Sequence, residues 1–81
     1  MTKFTIHCHA HLGRYLPGGE PGERRTVAAL PGERLGDVLD RLGVPAAEVV
    51  LMLDAAGRRL PRDHAPVDGE LVELLPALSG G

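Results

Sequence analysis

Only one stretch of this sequence has the spacing of an amphipathic helix, and segments that resemble strands lie on both sides of it. Its apolar residues fall at positions i, i+3, i+4 and i+7, with charged residues between them; they are Leu35, Val38, Leu39 and Leu42. Gly43 is placed to end the helix in a left-handed conformation, and Pro45 prevents its continuation. The N-cap has no Ser, Thr or Asn, so that role falls to Arg34 or a neighbour. One helix of about ten residues can cover only one face of a sheet.

The strand-like segments suit such a sheet. Residues 3–10 alternate strictly between polar and apolar, and the apolar set predicted to be buried is Phe4, Ile6, Cys8 and Ala10. Further strands are predicted over residues 25–30, 49–53 and 70–75, with a short edge strand at 58–60 and a tight turn at Asp68-Gly69. The order ββαβ(β)β gives an α+β fold, with residues 1–81 forming a single domain.

One helix leaves apolar residues on the other sheet face without cover. The residues considered for this uncovered face are Leu51, Leu53, Val72 and Leu74. They need a second layer or a partner, so the sequence predicts an interaction patch there.

The composition argues against several classes of function. Phe4 and Tyr15 are the only aromatic residues, and the net charge is −2, which disfavours base stacking and phosphate binding. No apolar run is long enough for a membrane span, and no signal peptide is recognisable, so we expect a cytoplasmic protein without membrane or nucleic-acid partners. The single cysteine, Cys8, is compatible with that compartment.

Three histidines alternate with other residues around this cysteine, at positions 7, 9 and 11. On a strand, His7 and His9 would project from one face and could share Zn²⁺ or Ni²⁺, which makes them weak candidate ligands. Because the sequence supplies neither a third ligand nor an orienting carboxylate beside them, we predict no metal site. Instead, we expect the three histidines to form a row that faces either solvent or a partner protein. Cys8 belongs to the apolar set and is expected to be an inert core thiol.

The chain ends in Gly80-Gly81, directly after the predicted last strand. Glycines lack side chains, so such an end can enter a narrow channel and present its carboxylate to another protein. Because Gly is 11 of 81 residues, a terminal pair arises by chance in roughly one sequence in fifty. We therefore predict a flexible tail over residues 76–81 and treat the terminal carboxylate as a candidate functional group.

The C-terminal third resembles the end of the MoaD/ThiS family of bacterial sulfur carriers. Residues 67–81 share with that family an Asp-Gly turn, an apolar last strand, a proline shortly before the tail and a Gly-Gly terminus. The resemblance extends over nearly the whole chain; its other matching segments are 12–16, 30–32, 36–39 and 41–45.

This resemblance implies a ubiquitin-like β-grasp fold, with a mixed sheet of four to five strands packed on one main helix. It also implies that an E1-like enzyme uses ATP to adenylate Gly81, and that a sulfur donor such as a cysteine desulfurase or a rhodanese converts it to a thiocarboxylate. Ser79 and Gly80 would thread the tail into the partner. The residues expected at the partner interface are Leu74, Pro76 and Leu78. The carrier itself would bind no cofactor, and it would not catalyse a reaction without its partners.

The recipient of the sulfur stays open at this point. The proline-containing end favours the small subunit of molybdopterin synthase, with its large subunit as partner; thiamine biosynthesis, with thiazole synthase, or another sulfur-containing metabolite are the alternatives. Two further alternatives are a ubiquitin-like modifier joined to lysines and a β-grasp binding module whose Gly-Gly is accidental.

Overall fold

In the computed structural model, residues 1–16 and 24–76 are described. Within these two ranges the strands are β1 (Thr2–Cys8), β2 (Arg24–Ala29), β3 (Val49–Asp54) and β4 (Leu71–Pro76). The helix α1 spans Leu35–Leu42, and two 3₁₀ helices span Ala10–Tyr15 and Ala46–Glu48. The strands form one sheet in the order β2-β1-β4-β3.

The pairing of the strands confirms the predicted topology. The first and last strands, β1 and β4, lie side by side at the centre and run parallel. The outer strands pair antiparallel with them, β2 with β1 and β3 with β4. This mixed four-stranded sheet with one α-helix is a ubiquitin-like β-grasp. β4 pairs with β1 up to Leu74 and with β3 up to Pro76, so its last two residues are held on one side only.

The first strand is shorter than the alternation predicts. It ends at Cys8, and Ala10 adopts a left-handed conformation (φ 52°) that starts the first 3₁₀ helix. Ala10 is consequently exposed, so its predicted place in the buried set is wrong. Leu12 and Leu16 follow the turn and are buried instead.

Backbone groups from a neighbouring loop replace the missing side-chain cap of α1. Arg34 is the N-cap residue, and its backbone N–H donates to Asp37 Oδ2 at 3.0 Å. The next two N–H groups, of Leu35 and Gly36, donate to the carbonyl oxygens of His64 and Arg62, each at 2.8 Å. These partners satisfy donors that a helix start leaves free. The other end is as predicted, with Gly43 in the left-handed conformation (φ 86°).

The core fills the space between α1 and one face of the sheet. Its fully buried members with the largest side chains include Phe4, Ile6, Leu35, Leu39, Val72 and Leu74. Val72 and Leu74 of β4 therefore belong to the covered face, whereas Leu51 and Leu53 of β3 are only half-buried. The predicted set of uncovered residues was thus wrong for Val72 and Leu74.

The predicted edge strand at 58–60 is reduced to one bridge, in which Arg59 pairs with Leu53. The adjoining turn is held by Asp54, whose Oδ1 accepts from the backbone N–H groups of Ala56 (2.9 Å) and Arg58 (2.8 Å). Among the described residues, the helices are too short or too polar to cross a bilayer.

Candidate functional site

The predicted site residues at the C-terminus follow directly from β4. The strand ends at Pro76, which pairs with Val49 of β3. Leu78, Ser79, Gly80 and Gly81 lie outside the described residues. Activation at Gly81 and threading through Ser79 and Gly80 therefore stay predictions, and the structure defines only the surface from which this segment departs.

That surface differs from the prediction at one residue. The Leu74 side chain is fully buried and pairs across the sheet with Met52, so it does not lie on an open interface. Successive strand residues point to opposite faces. Its neighbour Leu75 therefore belongs to the face opposite α1, where it pairs directly with Leu51 of β3.

Around this leucine pair, an apolar groove runs along the open face beside the end of β4. It is lined by His9, Ala10, Val50, Leu51, Leu75 and Pro76. The β3–β4 register shifts between Val49 and Leu51, and Val50 at this irregularity is 59% exposed. A bulge of this kind turns a side chain out of the regular alternation. The groove thus offers apolar contact area at the base of the C-terminal segment.

A polar cluster of His7, His9 and Glu73 lies on the open face as well. His7 of β1 pairs directly with Glu73 of β4 in the parallel ladder. The Glu73 Oε1 atom is 3.3 Å from His7 Nδ1 and 3.0 Å from His9 Nε2. Hydrogen bonding to His9, and then to His7, holds the pKa of the Glu73 carboxyl below its usual value, so the carboxylate form is favoured.

The sequence analysis missed Glu73 as a partner of these histidines. His7 and Glu73 are 66 residues apart, and only the parallel β1–β4 register brings them together. The third histidine is not part of this group: His11 lies in the first 3₁₀ helix, and its Nε2 is 3.8 Å from Glu48 Oε2. His7 and His9 thus lie partly exposed on the uncovered face, as expected, and in addition share one carboxylate, whereas His11 does not continue the row.

The thiol of Cys8 lies in the core, as predicted. It is fully buried, and burial raises its pKa to about 11. A thiolate is disfavoured in such surroundings, so the geometry gives this residue no reactive role.

Comparison with solved structures supports the fold assignment. The structure is similar to the crystal structure of SAMP1 from Haloferax volcanii, with a TM-score of 0.68 and 22% sequence identity. The match covers 98% of this chain and 99% of the other. No curated protein matches the sequence.

Comparison with protein families gives one match over nearly the whole length. The family described as Mut7-C ubiquitin matches residues 1–79. This match names a ubiquitin-like family, in agreement with the fold, and it does not name the MoaD/ThiS carriers. The chain belongs to the Mut7-C ubiquitin family.

Proposed function

We propose that this chain is a sulfur carrier whose terminal carboxylate, on Gly81, is the reacting group. The observation that carries the proposal is the position of the Gly-Gly terminus on a ubiquitin-like fold. Pro76 ends a central strand that is hydrogen-bonded on both sides, and Gly80-Gly81 ends the chain five residues later. A rigid body therefore presents a short segment whose last two residues carry no side chains.

The chemistry would be performed by partners in two steps. A carboxylate is a poor electrophile and must first be activated. In the active site of an E1-like enzyme, the Gly81 carboxylate would attack the α-phosphate of ATP, forming an acyl-adenylate and releasing pyrophosphate. Hydrosulfide would then attack the acyl carbon and expel AMP, leaving a thiocarboxylate. A donor protein's persulfide would expel AMP in the same way but form an acyl disulfide, which a second thiol must cleave to release the thiocarboxylate and leave a disulfide on the donor. These steps use no nucleophile from the carrier's own body, which is consistent with the buried Cys8 thiol.

The apolar groove beside Pro76 supports the proposal, because this chemistry requires a surface on which an activating enzyme can dock. An activating enzyme must hold the carrier while the terminal segment lies in its active site. Leu51, Leu75 and the exposed Val50 supply contact area close to that segment. Among recipients of the sulfur, we propose molybdopterin first, with the large subunit of molybdopterin synthase as second partner, because of the proline before the tail.

The proposal is tested by the intact mass of the protein after incubation with ATP, sulfide and the E1-like enzyme of its host. The expected product is heavier by the difference between one sulfur and one oxygen atom, and fragmentation places the change at Gly81. Deletion of Gly81 should abolish the product. As a control, Val67→Ala changes an exposed side chain beside the turn at the other end of β4 and should leave the yield unchanged.

Two outcomes would contradict this role. If the mass stays unchanged after incubation with each candidate activating enzyme of the host, the Gly-Gly end does not serve as a sulfur carrier. Covalent adducts to lysines of other proteins, without a thiocarboxylate, would instead establish the modifier alternative. Activation alone does not distinguish the two, since both begin with adenylation.

A further inference from the structure

The open face of the sheet carries a set of three side chains that suits a metal ion. We propose that His7, His9 and Glu73 bind one Zn²⁺ ion through two imidazole nitrogens and one carboxylate oxygen. This site goes beyond the proposed sulfur transfer and does not depend on it.

The backbone holds the three residues in place. The β1–β4 register sets His7 opposite Glu73. His9 follows the end of β1, and its backbone N–H donates to the Leu74 carbonyl oxygen at 3.0 Å, which fixes it beside the same strand. All three residues are thus tied to the two central strands, the best supported part of the sheet.

Two of the three distances between the donor atoms are close to those of tetrahedral zinc. One ligand atom from each residue lies within 4.8 Å of the other two. Tetrahedral sites with bonds of about 2.0–2.1 Å place their ligand atoms roughly 3.3 Å apart. The separations from Glu73 Oε1 to the two histidine nitrogens, 3.3 Å and 3.0 Å, are close to that spacing. Coordination therefore needs little movement of Glu73 relative to either histidine, while the two histidine nitrogens, which lie within 4.8 Å of each other, would have to approach to the tetrahedral spacing.

The donor types and their exposure are also suitable. Two imidazoles and one carboxylate form a three-ligand set that zinc uses when a fourth position is left for water. The side chains of His7, Glu73 and His9 are 19%, 27% and 37% exposed, so the ion can enter from solvent. His9 also borders the apolar groove, which places the ion next to the base of the C-terminal segment.

The main competing explanation is chelation by an alternating run of histidines, as any solvated peptide with this sequence could show. The two explanations predict different contributions from His11 and Glu73. In the folded site, Glu73 is a ligand and His11 is not, because His11 lies beside Glu48. In simple chelation, His11 contributes as much as His9, and Glu73 contributes nothing.

The experiment is calorimetric titration of Zn²⁺ into the full chain, made without a polyhistidine tag. We expect one ion per chain and at least about a tenfold loss of affinity in His9→Gln and in Glu73→Gln, since even indirect partners of a metal contribute that much. The matched control His11→Gln should bind within about twofold of the unchanged protein. Circular dichroism of each variant checks that the fold is retained.

A second measurement does not depend on the variants. In NMR spectra of the unchanged protein, Zn²⁺ should shift the ring signals of His7 and His9 and the carboxyl signal of Glu73, and leave those of His11 in place. The proposal is overturned by absence of binding at millimolar Zn²⁺. It is equally overturned by equal losses in His9→Gln and His11→Gln, or by unchanged affinity in Glu73→Gln.

Discussion

The Cys8 side chain shows how burial controls the chemistry of a single residue. Its thiol is fully buried, and its pKa is raised to about 11 because a thiolate there would lose its hydration. At pH 8 the thiolate fraction of a group with that pKa is about one in a thousand. Cys8 is therefore protected from thiol reagents in two ways: solvent does not reach its sulfur atom, and the thiol remains almost entirely protonated.

We predict that a thiol reagent at pH 8 modifies Cys8 in the native protein only as fast as the structure opens. In denaturant, the same reagent should modify one thiol per chain within its ordinary reaction time. The measurement is the rate of absorbance change with Ellman's reagent, compared with and without urea. A fast reaction in the native protein would show that this part of the core is open to solvent and that a sulfur-carrying role for the thiol must be reconsidered.

At the scale of the element, β4 separates the two faces of the sheet by the alternation of its residues. Leu74 is fully buried in the core, whereas Leu75 is half-buried on the open face. We predict that Leu74→Ala lowers the free energy of unfolding by about 2–5 kcal/mol, since it leaves a cavity in the core. Leu75→Ala should cost less than about 1 kcal/mol. Urea unfolding followed by circular dichroism measures both, and similar losses would contradict the assigned faces.

Local patterns predicted most of the elements but not their exact ends. The helix and the four main strands follow from spacing, and Gly43 marked the end of α1 because it adopts a left-handed conformation. The alternation continued through Ala10, yet β1 ends at Cys8 because the chain turns at a left-handed residue that no glycine signals. The exposed side of β4 was also missed, since its apolar residues lie on both faces and a local pattern does not fix their direction.

The polar cluster could not be predicted for a different physical reason. The contact between His7 and Glu73 depends on a parallel pairing of strands from opposite ends of the sequence. Such a register is set by the packing of the whole sheet on α1, whereas the spacing of His7 and His9 is a local property of the chain. The histidines were therefore recognised as candidates, and the carboxylate that completes their set was not.

For the whole molecule, the two faces of the sheet have separate roles. One face and α1 form the core. The other carries the groove beside Pro76 and, next to it, the histidine–glutamate cluster. An isolated monomer gains no folding stability from leaving apolar side chains such as Val50 in solvent. Their position beside the departing C-terminal segment fits the contact with an activating enzyme that the proposed function requires.

This assignment of the open face predicts unequal effects of two matched substitutions. Val50 in the groove and Val67 before the Asp68-Gly69 turn are both 59% exposed, so an aspartate at either position should be tolerated by the fold. We expect Val50→Asp to lower kcat/KM for adenylation by the host's E1-like enzyme at least about tenfold, because the charge would be desolvated at the contact. Val67→Asp adds the same charge at the opposite end of β4 and should change it less than about twofold. The measurement is pyrophosphate exchange at varied carrier concentration, with thermal unfolding of both variants as the check on folding. Equal rates for the two variants would mean that the activating enzyme does not use this groove, and the docking surface would then have to be sought elsewhere on the domain.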